Sequence, residues 1–346
     1  MASNENKNAY TFKVMIPNNQ KLNPKLFDKS VEQEPIRKGF GLGLLEAGEK
    51  NENVVGLCAD LTESTQMHLF ADKFPKRFIE VGVAEQNLVT VASGLAHMGK
   101  IPFVSSYAMF SPGRNWEQIR TTITYNNVPV KIVGSHAGVS VGPDGGTHQA
   151  LEDIALMRVL PRMVVVTPCD SLEARKATLA LAENRQPSYL RLAREKTPII
   201  TTLESPFEIG KASLLWVVEQ PEVAIIACGS LVHNALVAAT ELWHQGVSVL
   251  VLNNHTIKPM DEEQVVKVAK RTRAVVTVEE HQIAGGMGSA VSELLARTYP
   301  VPIEFVGVQD KYGQSGEPAE LVEYYGMGVR SIIDKVRKVI KRKNGN

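Results

Sequence analysis

The sequence is poor in several features that would assign it to a familiar class. Cysteine is scarce: Cys58, Cys169 and Cys228 are the only three in 346 residues. They lie far apart, each in or beside an apolar stretch. That excludes a disulfide framework and zinc-type spacing, and predicts reduced, buried thiols in a cytoplasmic protein. An excess of either charge is also lacking. The 38 Lys and Arg against 37 Asp and Glu leave a formal net charge of +1, so neither nucleic acid nor a membrane is an expected partner. No apolar run approaches the roughly 18 residues that a bilayer-spanning helix needs. The N-terminal segment 1–34 is polar and rich in Asn and Lys, without the apolar centre of a signal peptide. It reads as a loose extension, ordered only by a partner. A complete G-x-G-x-x-G dinucleotide signature is missing as well. GFGLG at 39–43 falls inside a helical stretch, and AGGMGSA at 284–290 is one glycine short and belongs to a late strand. Close packing and a loop-to-helix start are the better readings of the two.

What is present is an alternation of short Val/Ile-rich runs with longer helical stretches. The apolar content of 44% and charged content of 22% fit a globular chain, and its length predicts two domains. Strands are predicted at 53–60, 77–83, 101–107, 128–135 and 163–169, with helices at 35–50, 86–98, 114–126 and 170–184. Apolar runs flanked by helices indicate parallel strands covered on both faces, that is, a doubly wound α/β domain over 35–197. A Pro- and Thr-containing link, 198–209, follows. The pattern then restarts in a second α/β domain, 210–346. Its strands are at 222–230, 247–253, 273–281 and 302–310, its helices at 231–245, 261–270 and 287–298, and it closes with an amphipathic helix at 328–342. The basic end of that helix, KVIKRKNGN, is favoured by the helix dipole and needs no nucleic acid to explain it.

Three groups of residues could carry chemistry. Glu85, in FIEVGVAEQN, stands between two apolar segments, where a charge is costly unless something accepts it. It is either a helix-start acid or a chemically employed one. The loop SHAGVSVGPDGGTHQALED, 135–153, follows a predicted strand, so its His136, Asp144 and His148 fall at a carboxyl strand end, where open α/β sheets bind ligands. Their spacing fits no metal site, which favours polar substrate contacts. Tyr107, Phe110 and Trp116 lie near another strand end, either as core residues or as flat faces for a ring to stack on.

ADLTEST, FIEVGVAEQN, SSYAMF, GPDGGTHQALEDIALMRVLPRM and PSYLRLAR occur in an order and at spacings that resemble the pyrimidine-binding half of transketolase. The later VAIIACGS, VLVLNNHTIKPMD and VVTVEEHQIAGGMGSA resemble its C-terminal domain. The resemblance spans roughly residues 35–340. The family's diphosphate-binding half, with its G-D-G motif and magnesium ligands, has no counterpart here; GPDGG matches the substrate loop instead. The resemblance thus implies the C-terminal subunit of a split transketolase. Such a subunit works with thiamine diphosphate and with Mg2+ held by a separate N-terminal subunit. The pyrimidine domains would self-associate, giving a heterotetramer.

The resemblance also implies roles. Glu85 would hydrogen-bond the aminopyrimidine ring and promote its imino form, with a short, dry, charge-assisted bond moving that proton equilibrium. Tyr107 and Phe110 would hold the ring and Asp60 would lie near it, while the family's third aromatic position falls on Gly113. Asp144 would read a sugar hydroxyl, and His148 would assist proton transfer or hold an oxygen. Arg37, Ser64, His136 and Arg194 would contact the phosphate of a sugar phosphate. Other readings remain open: a 1-deoxyxylulose-5-phosphate synthase-like chain, a pyruvate dehydrogenase β-type subunit, or a non-catalytic partner subunit. Trp116 either compensates for the missing aromatic or does not.

Overall fold

The computed structural model describes residues 17–345. The Val/Ile-rich runs become short strands whose residues are almost all buried, as parallel strands covered on both faces must be. Strand β1 (Gln33–Pro35) leads into helix α1 (Ile36–Lys50), and β2 (Val54–Cys58) follows. Next come α2 (His68–Lys73), β3 (Phe78–Glu80), α3 (Glu85–His97), β4 (Ile101–Tyr107) and α4 (Trp116–Gln118). The unit closes with β5 (Lys131–Ser135), α5 (Asp153–Arg158), β6 (Val164–Val166), α6 (Ser171–Glu183), β7 (Ser188–Arg191) and β8 (Lys196–Pro198), the last pairing antiparallel with β1. Helix α1 lies against α6 because its glycines let the backbones approach. A Cβ at Gly39 would stand 1.8 Å from the Ser171 carbonyl oxygen. The glycines of GFGLG therefore serve packing.

The second unit runs β9 (Ser213–Trp216), β10 (Val223–Ala227), α7 (Val232–His244), β11 (Val249–Asn253), β12 (Thr256–Lys258), α8 (Glu262–Thr272), β13 (Val275–Gln282), α9 (Met287–Thr298), β14 (Ile303–Val308), α10 (Pro318–Tyr324) and α11 (Val329–Lys343). Its five-stranded sheet has the order β14-β13-β10-β11-β9, parallel except for β9. The first sheet has seven strands, in the order β12-β6-β7-β5-β4-β2-β3. Its outermost strand, β12, is lent by the second unit and runs antiparallel to β6. The two sheets also share one apolar core, in which Leu88 and Ile154 belong to the same cluster as Ile226 and Leu250. The three cysteines are free and buried.

Three expectations need correction. The helix expected at 114–126 is one α-turn that continues as a π-helical segment, Ile119–Thr124, a form frequent near functional sites. The central strand β7 was not anticipated. Within the N-terminal extension, residues 1–16 lie outside the described residues, but from residue 17 onward the segment is not loose. Leu26 is buried in the core of the second unit, Phe27 meets the Trp216 ring edge-on at 5.9 Å, and the Asn23 N–H donates to the Ile200 carbonyl at 2.9 Å.

A candidate cofactor and substrate site at the carboxyl edge of the first sheet

Parallel strands bring all their carboxyl ends to one edge, and this edge collects the candidate residues. Glu85 opens α3 just beyond β3, and Asp60 follows β2. Tyr107 ends β4, His136 follows β5, and Arg194 follows β7. Arg37 reaches the same edge from the first turn of α1.

Glu85 is 1% exposed. A buried carboxylate needs partners, and this one has two: the Arg114 guanidinium donates to Oε2 at 2.7 Å and the Ser106 hydroxyl to Oε1 at 3.2 Å. The Asn115 amide fixes the Glu85 backbone carbonyl at 2.9 Å. Its own Oδ1 is buried without a partner.

Beside this acid the rings converge. Tyr107 and Phe110 are near-parallel, with centroids 6.1 Å apart. The His136 imidazole stacks on Tyr107 at 3.9 Å, and His148 stands edge-on to Phe110 at 5.4 Å. Arg37 donates to the Ser64 carbonyl at 2.6 Å and lies 3.2 Å from His136 Nε2. His136 Nδ1 is 2.9 Å from the Ser135 hydroxyl. Burial, then the charges of Arg37 and Arg194, lower the His136 pKa to about 3. The ring is therefore neutral at ordinary pH, and Nε2 can accept from Arg37. Burial and the Arg194 charge also pull Arg37 below its usual value. Arg194 donates to the Val141 carbonyl at 2.5 Å and stands 3.6 Å from Asp144. The structure thus groups Arg37, Ser64 and His136, joins Arg194 to Asp144, and places His148 against the rings. Asp60 stands apart. It is exposed, with a φ of 59°, and its N–H is held by Glu80 at 2.8 Å.

The second unit holds the 135–153 loop in place. Buried Glu280, on β13, accepts the Ser140 N–H at 2.6 Å and the Ser230 hydroxyl at 2.7 Å. Gln149 donates to the Gln314 carbonyl at 2.9 Å. A Cβ at Gly146 would stand 2.6 Å from the Gly313 carbonyl, so loop and domain touch backbone to backbone.

Sequence reasoning missed Arg114, Ser106, Asn115 and Glu80. Only Glu80 left a signal, as the single charge interrupting an apolar run. It ties β2 to β3 by accepting from Asp60 and Gly82 backbone N–H groups and the Thr62 hydroxyl. Trp116 faces elsewhere: its indole N–H donates to the Leu156 carbonyl at 2.8 Å, and it packs on the core shared by the two sheets.

A neutral histidine, two arginines and a buried acid beside near-parallel rings thus come together at one sheet edge, offering flat faces, one carboxylate and cationic donors. Residues 33–199 match the family described as Transketolase, pyrimidine binding domain, and residues 210–332 match Transketolase, C-terminal domain. The chain belongs to the transketolase family and carries these two of its domains.

A Methanocaldococcus jannaschii protein named as a transketolase C-terminal section is 44% identical over 89% of this chain and 96% of its own length. A 6-deoxy-6-sulfo-D-fructose transketolase subunit from a Clostridium species is 41% identical over 92% of this chain and 98% of its own length. Among solved structures, a split-gene transketolase described as an inactive β4 tetramer is 42% identical, with a TM-score of 0.83, over 89% of this chain and 99% of that one. Transketolase from Campylobacter jejuni shares the fold at a TM-score of 0.76 and 22% identity, matching 91% of this chain to 50% of its own.

Proposed function

We propose that this chain works with a separate N-terminal subunit as a thiamine-diphosphate-dependent transketolase. The complex would move a two-carbon ketol unit from a ketose phosphate to an aldose phosphate. The observation that carries this reading is the buried Glu85 carboxylate at the carboxyl edge, beside the Tyr107–Phe110 pair. The donor set fits the cofactor: one carboxylate answers a ring nitrogen, and flat faces answer the ring. Glu85 would bond that nitrogen, Tyr107 and Phe110 would flank the ring, and Asp60 would lie near it.

When bound, the cofactor supplies the electron sink for cleaving the bond beside a ketose carbonyl. This chain's residues bind and orient the sugar. Arg37, Arg194, Ser64 and His136 would take its phosphate; a neutral His136 adds no repulsion to the arginines. Asp144 would read a hydroxyl, and His148 would move a proton.

Among the described residues no group of three or more His, Cys, Asp or Glu could hold a metal, and no helix is long and apolar enough to cross a membrane. We assign the Mg2+ ligands and the diphosphate site to the N-terminal subunit. Self-association of pyrimidine domains would complete a cytoplasmic heterotetramer. The split-gene relative described as an inactive tetramer of one subunit type supports the need for a partner. The relatives named for a sulfo-sugar and for apulose-4-phosphate support a sugar range that varies within this architecture.

The test is co-expression with a transketolase N-terminal subunit and a ketol-transfer assay with thiamine diphosphate and Mg2+. The complex should turn over and the purified single chain should not. Robust activity from the single chain would overturn the reading.

A further inference from the structure

We propose that Arg114 is a placeholder: in the cofactor-free chain its guanidinium fills the slot that a heteroaromatic ring takes on Glu85, and ring binding displaces it. This rests on the reading of Glu85 as the acid that meets the cofactor ring.

The geometry points to a stand-in because Arg114 already makes both contacts that the ring requires. Its guanidinium donates to Glu85 Oε2 at 2.7 Å, and its central carbon lies 5.1 Å from the Phe110 ring centroid. A guanidinium is planar, donates along its edge and stacks on its face.

The turn before Arg114 puts it there. A Cβ at Gly113 would stand 2.0 Å from the Met109 carbonyl oxygen, so the chain folds too tightly for a side chain at 113. The ring that the family resemblance assigns to this position is absent, and a guanidinium from the next residue stacks on Phe110 instead.

The two partners differ in mobility. Glu85 is fixed: it is 1% exposed, opens α3, and has its carbonyl held by Asn115. The Arg114 side chain is 49% exposed and can swing into water. A permanently buried carboxylate with only the Ser106 hydroxyl would be poorly satisfied. Arg114 covers that charge until a ligand arrives, and it leaves at little cost because half of it is already hydrated.

The experiment is calorimetric titration of thiamine diphosphate, with Mg2+, into the complex of the full chain and the N-terminal subunit. Arg114→Ala should bind the cofactor at least threefold more tightly than wild type. Arg114→Gln, which keeps a polar planar end but no charge, should shift the same way and covers the case in which the alanine variant folds poorly. The gain should vanish when either is combined with Glu85→Ala. Unchanged or weaker binding by both variants, with wild type binding normally, would overturn the placeholder and leave Glu85 as the cofactor's acid. A wild-type complex that binds no thiamine diphosphate would overturn the underlying reading and the placeholder together.

Discussion

Two glutamates, one at the carboxyl edge of each sheet, invite comparison. Glu85 and Glu279 are each 1% exposed; Glu85 opens α3, and Glu279, on β13, turns its carboxylate to the start of α9. Glu279 accepts the backbone N–H groups of Met287 at 2.6 Å and Gly288 at 2.8 Å, where α9 begins. Gly286 and Gly288 allow this approach: a Cβ at Gly286 would stand 2.2 Å from the Glu279 carboxylate. Burial raises the Glu279 pKa to about 7, against the opposing pull of those two N–H groups. Its partners belong to the helix backbone and cannot be exchanged for a ligand without unwinding α9. Glu85 is as deeply buried, yet its main partner is a half-exposed side chain that can withdraw. A buried acid at a helix start is therefore not in itself a site. The ability of its partner to leave is what separates the two.

The comparison can be broken most severely at Glu85. In the complex with the N-terminal subunit, Glu85→Ala should lower ketol transfer by on the order of a thousandfold. Circular dichroism and gel filtration should show an intact fold and an assembly of unchanged size, and a near-normal rate would remove the proposed role. Glu279→Gln is the counter-case and should leave turnover per folded molecule within about twofold.

Glu279 also predicts a pH effect. Its folded pKa, about 7, exceeds the ordinary 4.5. Between those values the unfolded chain releases a proton that the folded chain retains. Its contribution to stability therefore falls as pH rises through that window, by on the order of 3 kcal/mol in total. Denaturation at pH 5 and pH 8 should show the Gln variant gaining on wild type at the higher pH. An equal difference at both would contradict the assignment.

A smaller effect is expected at the substrate end of the first edge. Asp144→Ala should raise KM by about tenfold for hydroxylated sugar acceptors, the loss of one good hydrogen bond to substrate. Equal losses across all acceptors would argue against its hydroxyl-reading role. The smallest effect belongs to Trp116. Replacement by Phe should cost about 1 kcal/mol in chemical denaturation, for the lost bond to Leu156, and should leave cofactor affinity unchanged. A clear affinity change would place Trp116 in the ring site.

Much of this was legible because the physics was local. Runs such as 54–58 and 223–227 have no polar interruption, and parallel strands deliver whatever follows them to one edge. That is why Glu85 and His136 could be placed from sequence, whereas Arg194 was reached only through the family resemblance. Strand β7, SYLR, escaped because its Tyr and Arg look like surface residues. Both are buried, and both bond Asp153, at 2.7 Å each, 36 and 38 residues away in sequence. Arg114 was hidden for the same reason: its partner Glu85 is 29 residues away, and no local pattern announces an ion pair across a loop. The segment from residue 17 looked loose because its composition is polar, yet two apolar anchors, Leu26 and Phe27, suffice to dock it. The loan of β12 to the first sheet is a tertiary event that no periodicity encodes.

The most direct measurement is an experimental structure of the complex with thiamine diphosphate bound. The account predicts the pyrimidine ring beside Tyr107 and Phe110, with a ring nitrogen within hydrogen-bond distance of the Glu85 carboxylate and Arg114 withdrawn. A ring bound elsewhere, with Glu85 still paired to Arg114, would contradict it.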